Sequence, residues 1–275
     1  MYKIPLDSIL INTPVSSPLH PQANLPLLKG FIESNGFRTK VIDSNILFYH
    51  WFLGENPFRL SEEDAFRNPL TILSVYDEIE RKLHEKSQCY EGLSVGLRHL
   101  NMKQDRVAFS GVLEALHDES ANPFIEFYKE LIDERFVGTG ARIVGVGITF
   151  QDQLIPAFTL ARLLRERMPE AKIVMGGQMV TRCHDMMIQN DDLSKYYDYL
   201  SLWDGEKNLL DVHLKEIRGQ KVTFVNTLDM AVNDHTIDRV LNAPTANEIP
   251  STDFADINFN DYFFPEMLVP LQTTR

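Results

Sequence analysis

The stretch from Ile143 to Glu206 constrains this chain more than any other. It opens on a short, continuously apolar run, Ile143-Val144-Gly145-Val146-Gly147-Ile148-Thr149, rich in β-branched residues. That is the pattern of a strand covered on both faces. Leu154, Phe158, Ala161, Leu164 and Met168 then recur at helical spacing, facing a sheet. Gln151-Asp152 offers an N-cap, Pro156 falls in the first turn, and Pro169 stops the helix. A second strand run, Ile173-Val174-Met175, ends in Gly176-Gly177, where a ligand or a helix can approach bare backbone. A second helix pattern leads to Tyr197-Asp198-Tyr199-Leu200 and the turn Asp204-Gly205-Glu206. This β-α-β-α-β order is the grammar of a parallel sheet with helices on its faces.

The N-terminal region adds a β-α-β unit. Ser8 to Thr13 reads as a strand, residues 25–35 as a helix closed by Gly36, and Arg38 to Asp43 as a second strand. Between them lies a loop stiffened by Pro14, Pro18 and Pro21. The expected fold is a Rossmann-like (flavodoxin-like), doubly wound parallel α/β sheet of about five strands in the order 2-1-3-4-5. Residues 44–139 break the pattern with an aromatic cluster (Phe48, Tyr49, Trp51, Phe52) and helix patterns near 70–87, 104–117 and 123–136. They read as a helical insertion between strands two and three, with the aromatics as its core. The α/β domain then takes in residues 1–43 and 140–227. A helix to about residue 218 and an edge strand at Lys221 to Asn226 complete it.

Residues 228–275 read as a linker and a further strand. Pro250 to Glu266 holds Asp253, Asp256, Asp261 and Glu266 but no Lys or Arg, as in a linker laid on a surface. Met267 to Arg275 reads as a strand with nothing after it to pair with, which implies a longer parent chain.

Composition narrows function by exclusion. A net charge of −12 argues against nucleic acid or an anionic membrane surface as a partner. Cys89 and Cys183 form neither a disulfide framework nor a CxxC motif, and Met1 to Asp7 has no apolar leader core, so a reducing cytoplasm is expected. No apolar run is long enough to span a bilayer. Thr13-Pro14-Val15-Ser16-Ser17 stands where a dinucleotide site needs G-x-G-x-x-G, and there is no G-x-S-x-G nucleophile motif.

Three motifs in order carry a resemblance. They are G-x-x-x-x-V-I-D (Gly36 to Asp43), V-G-V-G-I-T…Q…P-A…A-R-L-L-R…P…I-V-M-G-G (Val144 to Gly177), and Y-D-Y…D-G-E (Tyr197 to Glu206). With the tail P-x-x-D-F-x-D-I-x-F-x-D-Y and P-L-Q-T-T-R, the set resembles the cobalamin-binding domain that precedes the catalytic core of B12-dependent radical S-adenosylmethionine enzymes. The resemblance covers about residues 8–43 and 142–275. It implies that this chain binds cobalamin. A [4Fe–4S] cluster and S-adenosylmethionine would belong to a radical barrel in cis, after Arg275, acting on a peptide, tetrapyrrole or small natural product, commonly by methyl transfer.

The chain has no cysteine triad, so the radical step is not expected of it alone. The implied cofactor-binding residues are Thr13 and Pro14 after the first strand, Asp43 and Asn45 after the second, and Thr149, Phe150, Gln151 and Gln153 after the third. Gly176, Gly177 and Gln178 follow the fourth, and Asp204, Gly205 and Glu206 the fifth. Gly145, Gly147, Gly176 and Gly177 leave room for the cofactor's nucleotide tail. Asn45 and Phe48 replace the His and Gly of the D-x-H-x-x-G cobalt-ligand motif, so no metal ligand is expected. The alternative is a flavodoxin-like domain whose cofactor site has decayed, serving docking or regulation.

Overall fold

A computed structural model describes residues 4–54, 68–232, 237, 239–264 and 268–270. Its centre is a six-stranded sheet. In chain order the strands are β1 (Ser8–Asn12), β2 (Thr39–Asp43), β5 (Ile143–Gly147), β6 (Lys172–Gly176), β7 (Tyr199–Ser201) and β8 (Thr227–Asp229), and they lie side by side as β2-β1-β5-β6-β7-β8. All neighbours are parallel except β7 and β8. The fold is α/β and Rossmann-like in character, with the expected order 2-1-3-4-5 plus one antiparallel edge strand.

That edge strand sits one step later than expected, at Thr227–Asp229 rather than Lys221 to Asn226. The apolar residues of that segment are used otherwise: Phe224 packs edge-on against Tyr199, ring centroids 5.5 Å apart.

The helices are α1 (Asn24–Ser34), α2 (Ser44–Leu53), α3 (Pro69–Ser87), α4 (Phe109–Ala115), α5 (Phe124–Arg135), α6 (Leu154–Arg167), α7 (Gln178–Ile188), α8 (Asp191–Ser194) and α9 (Gly205–Glu216). Strand residues alternate between two apolar layers. Leu10, Val41, Ile143, Val174 and Tyr199 meet α1 and α9 through Leu25, Phe31, Ile32, Leu209 and Val212. Ile9, Ile11, Ile42, Val144, Val146, Ile173 and Met175 face the other way, into a larger core with α2, α5, α6 and α7. The aromatics Phe48, Tyr49 and Phe52 are buried there, and Phe48 stacks on Phe52.

Residues 44–139 are not purely helical. A two-stranded hairpin, β3 (Ser94–Val95) with β4 (Leu100–Asn101), interrupts them. The helix expected at 104–117 shrinks to α4, because Asp105 turns back to bind Val107 N (2.8 Å) and Gln104 is held by Asp118 (2.8 Å). Of the strand expected at Met267 to Arg275, residues 268–270 are in no strand, and the rest lie outside the described residues. Among the described residues no helix is long and apolar enough to cross a membrane.

Candidate functional site

The carboxyl ends of β5, β6 and β7 carry almost no side chains on the face toward α1 and α9. Gly145 and Gly147 are in phase with Ile143, Gly176 with Val174, and Ser201 with Tyr199. The register aligns Gly147 with Gly176 and Gly176 with Ser201. Two adjacent strands therefore present bare backbone, and the third only a serine, where a sheet normally presents valine or isoleucine. Leu25 and Leu28 of α1 and Leu209 of α9 line the opposite side of this gap. The result is a cavity of about 440 Å³, with a glycine floor and leucine walls. This size falls within the roughly 300–1,000 Å³ of small-molecule pockets.

The cavity's rim is polar. Asn24 lies at one side, and Asp204, Gly205 and Glu206 at the other, where the first turn of α9 presents its unbonded N–H groups. Glu206 is buried while Asp204 is partly exposed. Among the described residues no Lys or Arg lines the cavity. The two carboxylates offset the positive end of the helix, so the rim suits hydrogen-bond donors such as hydroxyls and amides better than a phosphate.

Gly177 has a different reason to be glycine. Its φ is +110°, and a Cβ would stand 2.5 Å from Ile148 O. The backbone makes this approach so that Ile148 N can bond Gly176 O (2.8 Å) and Met179 N can bond Ile148 O (3.1 Å). Trp203 is a non-glycine residue at positive φ (57°), held by its N–H to Thr181 Oγ1 (2.9 Å).

The other expected residues lie along the same carboxyl edge, outside the cavity lining. Gln153 is fully buried and acts as a bracket. Its Oε1 accepts from Thr149 N (2.7 Å) and Phe150 N (2.9 Å), and its Nε2 donates to Thr13 O (2.6 Å) and Asn12 Oδ1 (3.3 Å). Gln151 to Gln153 form a 3-10 turn leading into α6. The expected N-cap at Gln151-Asp152 is absent, since the Asp152 side chain binds Leu100 N (3.2 Å) and pairs with Arg106. Thr13 Oγ1 donates to Gly147 O (3.0 Å), and Pro14 is buried beside it. Phe150 and Gln178 are exposed, and Thr149 is half-buried.

Asp43 caps α2 by accepting from Asn45 N (3.1 Å), and it accepts further from Asn12 Nδ2 (3.0 Å) and Tyr262 Oη (2.6 Å). Burial pushes its carboxyl above the usual range, against the lowering effect of the bonds from Tyr262 and Asn12. Asn45 is turned inward: its Oδ1 accepts from Ser16 N (2.8 Å) and its Nδ2 reaches Ser17 O (3.4 Å). Both of its polar groups serve the proline loop. Among the described residues no group of His, Cys, Asp and Glu is arranged to hold a metal ion.

The structure thus brings Gly176, Gly177, Asp204, Gly205 and Glu206 together around one cavity, with Gly145 and Gly147 in its floor. Sequence reasoning missed the walls, Leu10, Leu25, Leu28 and Leu209, and the hydroxyl of Ser201. The available signal was the phase of the glycines, which puts every bare position on the α1 side. Comparison with family models, curated proteins and solved structures finds no match to this chain.

Proposed function

We propose that this chain is a cobalamin-binding module, built on a flavodoxin-like doubly wound sheet, that serves a radical S-adenosylmethionine enzyme. The observation that carries the proposal is the glycine-floored cavity at the carboxyl edge. Open α/β sheets bind ligands there, and this one has glycine at neighbouring positions of β5 and β6, Gly147 beside Gly176, with only the small Ser201 next to them on β7. At about 440 Å³ the cavity has room for a base with its sugar and is too small for a corrin, which would rest outside on the carboxyl edge near Thr149 and Phe150. Leu10, Leu25, Leu28 and Leu209 would hold the base, and Asn24, Ser201 and Glu206 are placed for hydroxyl and amide groups. When bound, cobalamin supplies a carbon–cobalt bond for methyl transfer. The chain's own residues orient the cofactor and shield its tail. With no Lys or Arg in its lining among the described residues, the cavity suits a dinucleotide or nucleoside triphosphate poorly, and the single phosphodiester of the cobalamin tail would stay at the open rim, in water.

The test is a comparison of cyanocobalamin with dicyanocobinamide, which lacks the nucleotide tail. Cobalamin should bind at least tenfold more tightly. Equal affinity, or no binding of either, would remove the tail from the cavity and the proposal with it.

The second reading, a domain whose cofactor site has decayed, is favoured by Asn45 alone, whose polar groups are both spent inside the fold. It does not account for a cavity left unfilled.

A further inference from the structure

Residues 250–264 form almost no secondary structure beyond the turn Phe259–Asp261, yet they are pinned along α1, β2 and α2. At Gly30 in α1 a Cβ would lie 2.7 Å from Ser251 O, so helix and strap meet at bare backbone. Lys29, buried beside it, pairs with Asp253 (3.2 Å) and Asp256 (2.8 Å). Asp256 also accepts from Val41 N (2.9 Å) on the outer edge of β2. Further along, His50 Nε2 meets Asp261 O (2.7 Å) and Phe263 N donates to Pro18 O (3.0 Å).

The strap ends in a buried relay. Tyr262 Oη donates to Asp43 Oδ2 (2.6 Å), and Asn12 Nδ2 donates to Asp43 Oδ1 (3.0 Å). Gln153 Nε2 donates to Asn12 Oδ1 (3.3 Å), and Gln153 Oε1 holds the N–H groups of Thr149 and Phe150. Tyr262, Asp43, Asn12 and Gln153 are 7%, 9%, 4% and 0% exposed. In such a setting each member orients the next, and a member left unpaired costs about 1–3 kcal/mol. The line crosses the sheet edge from β2 through β1 to the turn after β5.

We infer that Tyr262 is a positioning residue: the docked strap fixes the Thr149–Phe150 turn at the carboxyl edge through Asp43, Asn12 and Gln153. The inference goes beyond the cobalamin reading and needs no ligand. Linkage follows from it: whatever draws the strap away loosens the turn, and whatever binds the turn tightens the strap.

Backbone amide exchange followed by NMR on the 275-residue chain tests this. Tyr262→Phe removes one hydroxyl and keeps the ring. Gly30→Ala pushes the strap off α1 without touching a relay group, and it favours the helix it sits in. In both variants the amides of Thr149 and Phe150 should exchange at least tenfold faster, while those of Leu10 and Val144 keep their rates. Either variant leaving Thr149 and Phe150 unchanged overturns the inference, as does an acceleration shared equally by Leu10 and Val144.

Discussion

Gly147→Val separates a glycine kept for a ligand from a glycine kept for the fold. Gly147 is not among the positive-φ glycines, and a Cβ there would lie 3.5 Å from Ile11 O and 3.6 Å from Leu25 Cδ2, both ordinary contacts. Replacing glycine inside a strand recovers roughly 0.5–1 kcal/mol of backbone entropy. Fully burying a valine adds about 1.5–3 kcal/mol, and the partly open cavity should return about half or less. The variant is then more stable by about 1–2 kcal/mol, a Tm rise of roughly 2–8 °C for a chain of this size.

The same valine occupies the cavity floor, so cobalamin binding should weaken at least tenfold, about 1.4 kcal/mol. Differential scanning calorimetry reads the first effect and an anaerobic spectral titration the second. Opposite signs are the signature of a position held bare for function. A valine variant less stable than the parent would show that the floor is already packed. One that binds cobalamin as well as the parent would show that the ligand does not use the cavity.

Other positions give sharper structural tests. His213 is buried between Leu209 O and Ser8 Oγ (both 2.8 Å), and burial lowers its pKa from 6.5 to about 4. The unfolded chain therefore takes up that proton first as pH falls. The contribution is fully present above pH 6.5 and lost toward pH 4, about 3 kcal/mol in all. Denaturant titrations across that window should show the loss, and His213→Gln should flatten it. Gly177→Ala, at φ +110° with Ile148 O 2.5 Å away, should cost at least about 1–3 kcal/mol. Gly219→Ala, at φ +66° with nothing within 4 Å, should cost only about 1 kcal/mol; thermal melts of the pair decide. Lys29→Met removes the charge that holds Asp253 and Asp256, should cost about 1–3 kcal/mol, and should open Phe254 and Phe259 to chymotrypsin, read as a faster cleavage rate.

The sheet was legible because β1, β5 and β6 are short apolar runs closed by glycine or proline, and the strand order follows from the rules of parallel connection. The last strand was not, because three residues facing a single neighbour leave almost no periodic signal. Phe224, which looked like part of a ladder, packs instead on Tyr199. The hairpin at Ser94–Asn101 was hidden for the same reason. At the site, the glycines announced themselves, but the role of Gln153 did not. A glutamine expected to meet a ligand is spent on Thr149, Phe150, Thr13 and Asn12. Nothing in local sequence separates a glutamine facing solvent from one buried under a turn. The tie from Tyr262 to Asp43 spans 219 positions, beyond any local pattern.

The most direct measurement is an anaerobic titration of the chain with hydroxocobalamin and methylcobalamin, followed by the visible spectrum. If the cavity takes the nucleotide tail, the tail's base leaves cobalt, and the spectrum should shift saturably to the base-off form. A spectrum that stays base-on up to about 1 mM cofactor would contradict the cobalamin reading and leave the glycine floor without the ligand proposed for it.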